Sequence, residues 1–516
     1  MFFCILDSLK ISNLLDITFK NTFLSWLIKK RLHKIELFIK YPHQSQKNVL
    51  TKLLQNAKRT EFGKEHGFKD ITTYQQFREQ VPIRTYEEIF SYIEKVRTGR
   101  ADILWPGKVN WFAKSSGTTN AQSKYIPITK ESLIESHYKA GKDMICLYCH
   151  NFPETKIFNG KGIMLGGSQK KNKENTFIDG DLSAILLDNF PFWVNMHRIP
   201  DKKTALMSNW EKKIELIAEQ ASKNNITNLT GVPSWMLILL NKVKEKASVS
   251  DLTELWPNIE LFMHGGINFS PYKEQFENLF PSNKLNYLEG YNASEGFFAI
   301  QDQKKSSELL LMLDYGIFYE FIPMNKFNNF KNAIPIWEVE KNQEYAIIIS
   351  TNSGLYRYLI GDTIRFTSTS PYRIKIVGRT KSFVNCFGEE LVVENAEEAL
   401  LFACQKENVI VKDFTVGPIY LSKNAGCHQW LIEFIKAPQN LFEFARLLDK
   451  KLQNLNSDYK AKRSDSIMLK QLEIVILPEN AFFNWLAKKN RLGGQYKVPR
   501  LSNNRTIVDE ILISLN

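Results

Sequence analysis

The sequence predicts an α/β protein, a large N-terminal region of mixed sheets covered by helices and then a smaller α+β unit. Three observations carry this. Short apolar runs such as GIMLGGS (162–168) and IELFMHGG (259–266) end in glycine turns and alternate with longer amphipathic stretches at 206–223 and 234–246. Buried strands joined by covering helices read this way. Residues 309–313, 319–322, 345–350 and 374–377 are strand-like and closely spaced, which predicts a more antiparallel region. After GRTKSF (378–383) the pattern becomes helix at 394–405, strand at 430–435, helix at 441–455 and strand at 472–477. The chain of 516 residues is long enough for two domains. The expected division is a large domain, 1–380, and a small C-terminal domain, 381–516.

From the N-terminus, MFFCILDSLKISNLLDITFK lacks a basic leader, and Asp7, Lys10, Asp16 and Lys20 break its apolar runs. Neither a secretory signal nor a transmembrane span fits. Phe23, Trp26 and Leu27, then Leu32, Ile35, Phe38 and Ile39, predict an amphipathic helix that packs on the protein's own core. Helical periodicity continues to about residue 100, with TEFGKEHGF (60–68) read as a loop between helices. Residues 131–148 read as another helix. Cys146 and Cys149 would then be packing residues one turn apart; a zinc site needs two further ligands at suitable spacing, and none occurs.

The apolar fraction of 43% and charged fraction of 24% exclude disordered and fibrous classes. A net charge of +13 raises the question of a nucleic-acid or anionic-membrane partner. The lysines are dispersed, however, with no Arg-rich block and no aromatic-basic interleaving, so they are expected on solvated faces and no nucleic-acid partner is expected. Six scattered cysteines suit a reducing compartment, and the expected location is cytoplasmic.

Three segments carry chemistry. In SSGTTNAQSKYIPIT (115–129), small hydroxylated residues surround a glycine and a lysine follows, so backbone N–H groups, hydroxyls and one cation can wrap phosphate oxygens. The common phosphate loop G-x-x-x-x-G-K-[ST] is absent, and alone the segment could equally be a polar turn. In YLEGYNASEGFF (287–298), Tyr291 can stack a purine, Ser294 can bond a phosphate oxygen and Glu295 can hold Mg²⁺; a strand end with a core tyrosine is the plainer alternative. In GLYRYLIGDTIRF (354–366), Asp362 can accept from a ribose diol, or can simply belong to a Gly-Asp turn.

In this order and spacing, the three motifs resemble the adenylate-forming superfamily of acyl-CoA synthetases and luciferases. Their wording resembles one branch, the auxin-responsive Gretchen Hagen family of acyl-acid amido synthetases, in a bacterial-type form. TEFGKEHGF, VPIRTYEEI, GVPSW, HGGINFSPY, FYEFIP, STNSGLYRY, GRTKSFVNCFGEE and GGQYKVPR extend the resemblance over nearly the whole chain. It implies a luciferase-like large domain with a small mobile C-terminal lid. It further implies that Ser115, Ser116, Thr118, Thr119 and Lys124 grip phosphates and that Tyr291 stacks adenine. Ser294 would meet the α-phosphate, Glu295 would ligate Mg²⁺, and Asp362 would hold the ribose with help from Arg379. Lys497 would reach the reacting carboxylate, and Lys381 would mark the hinge. Asn120 and Ala121 replace part of a loop that is often richer in glycine. His137, Trp235 and His264 are pocket candidates by position alone.

The implied activity is ATP-dependent. A carboxylic acid becomes an acyl-adenylate with release of pyrophosphate, and an amino acid amine then displaces AMP; Lys497, Glu295 and Lys124 are the expected catalytic groups. Two rivals remain open at this level, transfer to a thiol such as coenzyme A and a non-catalytic ATP- or acid-binding protein on the same fold. The identity of the acid, the identity of the amine and the oligomeric state are not readable from the residues.

Overall fold

Helices make up most of the described chain from residue 30 to residue 97. The computed structural model describes residues 28–515 apart from 29, 116–123, 172–176, 267–268, 270–271, 282–284, 328, 381–382, 385–386, 390, 422–424, 465–468, 489–497 and 499. The expected N-terminal helix is described from residue 30, and its Ile35 and Phe38 are buried in the main core with Leu50, Leu53 and Leu54 of α1 (Pro42–Ala57). Phe23, Trp26 and Leu27 lie outside the described residues. Before α2 (Tyr86–Arg97), the Glu88 carboxylate accepts from the Thr85 N–H at 2.7 Å, which satisfies a donor at the helix start.

TEFGKEHGF is not simply a loop. Glu61–Glu65 forms a short helix, with the Thr60 hydroxyl accepting from Gly63 N–H at 3.0 Å. Five residues are too few to show a period, so only the cap could have announced it. Gly63 is required by a close approach, since a Cβ there would lie 2.1 Å from the Ala57 carbonyl oxygen.

Two sheets follow. The smaller has the order β2-β1-β5-β4, from β1 (Trp111–Ser115), β2 (Lys124–Ile128), β4 (Gln169–Lys171) and β5 (Ile178–Gly180). The larger begins with β3 (Lys161–Met164), β6 (Arg198–Ile199), β7 (Ile226–Gly231), β8 (Leu261–His264) and β9 (Asn286–Ala293), which run parallel in the order β6-β3-β7-β8-β9. Beyond β9 come β10 (Gly296–Ile300), β11 (Leu309–Leu311), β12 (Ile317–Pro323), β13 (Ile334–Pro335), β14 (Glu344–Thr351), β15 (Tyr358–Thr369) and β16 (Tyr372–Arg379). They extend the sheet as β10-β11-β16-β15-β14-β12-β13, and their described pairings are antiparallel. The parallel strands are joined through α4 (Trp210–Ser222) and α5 (Pro233–Ala247), as crossovers require. The antiparallel region, expected from residue 309 onward, begins earlier, at the β9–β10 hairpin. Helix α3 (Tyr138–Asn151) covers β9 and β10 and is preceded by a five-residue π-turn, Leu133–His137, where an uninterrupted helix was expected.

The C-terminal region is α+β, as expected. β17 (Phe383–Val384) and β18 (Leu391–Val392) form a small pair. β19 (Ile410–Leu421), β20 (Ala425–Lys436) and β21 (Glu473–Leu477) form a three-stranded sheet. α6 (Val393–Glu407) and α7 (Leu441–Leu455) share one core with this sheet around Trp430 and Phe414. α8 (Ala481–Lys488) and α9 (Thr506–Ser514) share a second core with Leu431. β19 escaped the sequence reading because Lys412, Asp413, Gly417 and Pro418 interrupt its apolar residues.

Contacts divide the chain into two compact units. One comprises Met1–Lys114, Tyr125–Gly266 and Glu274–Val377; the other comprises Ser115–Lys124, Ile267–Lys273 and Gly378–Asn516.

Candidate active site

In an open α/β sheet, ligands bind beyond the carboxyl ends of the parallel strands, where backbone groups are unpaired and side chains of several strands converge. Here β3 runs into Gly166 and Gly167, β7 ends at Gly231, β8 ends at His264 before Gly265, and β9 ends at Ala293. After β8 the backbone runs close against β9: a Cβ on Gly265 would lie 2.2 Å from the Gly290 carbonyl oxygen.

β9 and β10 form a hairpin in which Ala293 pairs with Gly296, so Ser294 and Glu295 are its two-residue turn. Ser294 is half-buried and the Glu295 side chain is 7% exposed. Tyr291, three residues earlier, donates its hydroxyl to Asp362 Oδ2 at 2.6 Å, while its ring packs on Phe298 with centroids 4.9 Å apart. Residues 71 positions apart in sequence thus share one buried contact.

Asp362 is aimed by an irregularity in β15. Ala346 pairs with Thr363 and Ile348 with Leu359, so Leu359–Thr363 bulges against a shorter stretch of β14. Gly361 within the bulge has φ +95°, a conformation side chains resist. The glycine of the Y-R-x-x-x-G-D motif thus serves to turn the carboxylate towards Tyr291.

Ser115 closes β1 and Lys124 opens β2, so the hydroxyl-rich segment joins two strands. Ser116, Thr118 and Thr119, together with Asn120 and Ala121, lie outside the described residues, as do Lys381 and Lys497. Arg379 is the last residue of β16, and its side chain is likewise outside them. The structure joins Tyr291 to Asp362, places Ser294 and Glu295 in the turn that follows Tyr291, and sets Ser115 and Lys124 at the strand ends of the hydroxyl-rich segment.

Of the pocket candidates, His264 ends β8 and is 5% exposed, and Trp235 on α5 meets Trp210 at 4.2 Å between ring centroids. Burial pushes His137 down to about 4 and His264 down to about 3, so both rings are neutral near pH 7. Cys146 and Cys149 lie on α3, with burial pushing their thiols up to about 11 and about 12. Among the described residues no group of three or more His, Cys, Asp and Glu side chains is placed to hold a metal, and no helix is long and apolar enough to cross a membrane.

Two contributors had no sequence signal. Ser136 accepts the Phe297 N–H at 3.1 Å and so fixes the hairpin to the π-turn. Lys213 on α4 is 1% exposed and donates to Gly166 O at 2.5 Å and Gly167 O at 2.8 Å, with burial pushing its ammonium down to about 8. It holds the glycine turn after β3. A lysine on the apolar stripe of an amphipathic helix was the only trace of it.

The chain is similar to known proteins over nearly its whole length. The chain is 22% identical to a jasmonoyl–L-amino acid synthetase of Nicotiana attenuata, JAR6, over 92% of its own length and 93% of that protein. It is 22% identical to the indole-3-acetic acid-amido synthetase GH3.15 of Arabidopsis thaliana, over 89% and 90% of the two chains. The solved structure of a GH3.15 acyl acid amido synthetase in complex with 2,4-DB shares the fold at a TM-score of 0.60 and 17% identity, covering 96% of each chain. A 2-hydroxyisobutyryl-CoA ligase shares it at 0.55 and 11%, covering 92% of each. Models of the GH3 family N-terminal, central and C-terminal domains match residues 31–285, 310–379 and 394–506 in turn, and the chain belongs to the GH3 family.

Proposed function

We propose that this chain is an ATP-dependent acyl-acid amido synthetase, which activates a carboxylic acid as its acyl-adenylate and passes the acyl group to an amino acid. The observation that carries the reading is the Tyr291–Asp362 hydrogen bond beside the Ser294–Glu295 turn, at the carboxyl edge of the parallel strands. The names of the relatives, amino acid and amido synthetases, support it.

The residues suit a nucleotide. Tyr291 supplies an aromatic ring, and Asp362 is an acceptor suited to ribose hydroxyls. The half-buried Ser294 hydroxyl can donate to a phosphate oxygen. The donor set also suits Mg²⁺, an ion usually held by one or two carboxylates together with substrate phosphates. Glu295 would hold it, and its charge would offset that of the phosphates.

In the first step a carboxylate oxygen attacks the α-phosphorus, the bond to the bridging oxygen breaks and pyrophosphate leaves. Two anions must approach, and Lys124, with Ser115, Ser116, Thr118 and Thr119 around the phosphates, is assigned to ease that. Arg379 is assigned to assist Asp362. In the second step the amine attacks the acyl carbon, loses a proton to solvent and expels AMP. No protein nucleophile is needed. Residues 1–380 are assigned to ATP and acid binding and 381–516 to a lid carrying Lys497, which serves adenylation. We read the enzyme as cytoplasmic and without a nucleic-acid partner. Exposed pairs such as Lys52–Glu135, Lys223–Glu219 and Lys246–Glu215 support the reading of its lysines as solvated.

The test is acid-dependent pyrophosphate release over a panel of carboxylic acids, with products analysed in the presence of amino acids and, separately, coenzyme A. Amide products are expected. No acid-dependent release would sink the reading, and thioester products would move it to a coenzyme A ligase. Lys497→Ala should lose about a hundredfold or more of acid-dependent pyrophosphate exchange, and an unchanged rate removes that residue from the first step.

A further inference from the structure

Glu289 is a half-buried residue of β9 whose carboxylate the steps above do not use. Its backbone is satisfied on β10: the N–H donates to Gln301 Oε1 at 3.0 Å, and the carbonyl accepts from Gln301 N–H at 2.9 Å. The carboxylate itself has no hydrogen bond and no ion pair among the described residues, and burial alone pushes it up. Other carboxylates of the same compact unit are matched. Asp143 has Arg31 and the Tyr315 hydroxyl, Asp314 has Arg31 and Lys139, and Glu320 has Arg357. A charge taken partly out of water with no partner carries a cost that packing does not return. Glu289 is only half covered, so that cost can be met from outside the chain.

Strand alternation puts Glu289 on the same face of β9 as Tyr291, about 7 Å away. Leu288 and Gly290 belong to the opposite face, where Met144 of α3 packs: a Cβ on Gly290 would lie 3.4 Å from its sulfur. Glu289 is level with His264, the last residue of β8, at the carboxyl edge of the parallel strands. The groups around it bring no cation. Burial holds His264 down to about 3 and Tyr287 up to about 12, so both are neutral near pH 7, and Gln301 on β10 is an amide. Along β9 the order is Glu289, Tyr291 and then the Ser294–Glu295 turn. With Ser294 assigned to the α-phosphate and Tyr291 to the adenine ring, the nucleotide runs back along β9 from the turn. The edge of the base farthest from the phosphates then comes to Glu289.

Resting on that nucleotide reading, we propose that Glu289 selects the base: its carboxylate accepts a hydrogen bond from the 6-amino group of adenine and turns away purines that carry an oxo oxygen there. An ionised carboxylate is acceptor-only. Adenine presents a donor at position 6, whereas guanine presents an acceptor. Against guanine or hypoxanthine two acceptors face each other, and the half-buried charge of Glu289 stays unpaired. A site built to bond a polar group of its substrate rejects an analogue without it far more strongly than an apolar pocket can. Asp362 and Ser294 cannot discriminate in this way, since ribose and phosphate are common to every nucleoside triphosphate.

The experiment compares ATP, inosine triphosphate and purine riboside triphosphate, which has no group at position 6. Each is measured by acid-dependent pyrophosphate release and, without acid, by calorimetric binding to the full chain. Wild type should prefer ATP, with the bare purine second and the inosine nucleotide last. Glu289→Gln removes the charge and gives an amide that can donate to an oxo oxygen, so the preference for ATP over inosine triphosphate should shrink about tenfold or more. Glu289→Ala should bring ATP and the bare purine together. The KM for the acid should stay unchanged in both variants. An identical base preference in wild type and Glu289→Gln overturns the proposal. Failure of both variants to fold also overturns it, by assigning the carboxylate to the strand. If wild type releases no pyrophosphate with any acid, the enzymatic reading fails by itself, and the calorimetric preference still decides whether Glu289 reads the base. Absence of binding by all three nucleotides overturns both.

Discussion

Two buried polar pairs bracket a short piece of chain in the large sheet, and they serve opposite ends. Arg357, just before β15, has its guanidinium fully committed: Nε and Nη2 donate to Glu320, and Nη1 donates to the carbonyls of Val81 at 2.7 Å and Arg78 at 2.9 Å. Glu320 also accepts the Tyr74 hydroxyl at 3.0 Å, and its carboxylate together with burial pushes that phenol up. Asp362, five residues on, accepts from Tyr291 of β9 in a buried hydrogen bond. Both pairs sit on unusual backbone, φ +47° at Arg357 and +95° at Gly361 in the bulge. A non-glycine residue in that region is strained and persists only where its surroundings overdetermine it. The first pair bonds all three guanidinium nitrogens to the protein and so fixes where β15 begins. The second joins a residue of the turn-bearing hairpin to a residue of a bulge, and it is the pair assigned above to a ligand.

The sharpest way to break this contrast is Glu320→Ala. It leaves the Arg357 guanidinium buried without its carboxylate, and removing one partner of a buried ion pair typically costs about 3–5 kcal/mol. Denaturant unfolding followed by tryptophan fluorescence should show a loss of that order. An unchanged midpoint would remove Arg357–Glu320 from the scaffold and undo the comparison.

The histidines allow a smaller test. His428 in the C-terminal unit is matched by Glu389, whose other oxygen accepts from Phe387 N–H at 2.6 Å. In the large unit, His137 and His264 are pushed down by burial, to about 4 and about 3. For a histidine with a lowered folded-state value, the unfolded chain takes up a proton near pH 6.5 while the folded chain refuses it until pH 4 or below. Stability is therefore full above about pH 6.5 and falls as the pH drops towards 4. For His137 the shift amounts to about 3 kcal/mol at its limit. Unfolding free energies measured between pH 7 and 4 should decline less in His137→Phe than in wild type. Parallel declines would mean that the ring is not buried as a neutral group.

How much of this was legible beforehand depended on how far each signal travels along the chain. The helices at 206–223 and 234–246 and the strands around 261, 347 and 432 were readable because burial imposes a period within a dozen residues. The short helix after Thr60 and the strand through Lys412 and Pro418 lacked that period. The site was legible at Tyr291, Ser294, Glu295 and Asp362 only through the motifs that contain them. Nothing local said that Tyr291 and Asp362 touch, because a bulge in β15 and the pairing order of seven antiparallel strands decide that. Ser136 and Lys213 were silent as contacts for a related reason. A polar residue on the inner face of a helix looks alike in sequence whether it meets a strand or a glycine turn.

The finest test isolates the site pair itself. Tyr291→Phe keeps the aromatic face and removes the hydroxyl that holds Asp362. Losing one buried hydrogen bond should cost stability only about 1 kcal/mol. The carboxylate, no longer held at 2.6 Å, should then present itself less well to a ribose. The expected result is a KM for ATP raised about tenfold, the worth of roughly 1.4 kcal/mol, with a much smaller change in the KM for the acid. Steady-state pyrophosphate release with either substrate varied separates the two. A large loss of stability with an unchanged KM for ATP would place Tyr291–Asp362 beside Arg357–Glu320, as one more brace of the sheet, and the nucleotide would have to be sought elsewhere along the edge. A raised KM for the acid alone would turn the pair into a wall of the acyl pocket. Only the selective effect on ATP keeps a ligand's partner and a strand's brace distinct within five residues of one chain.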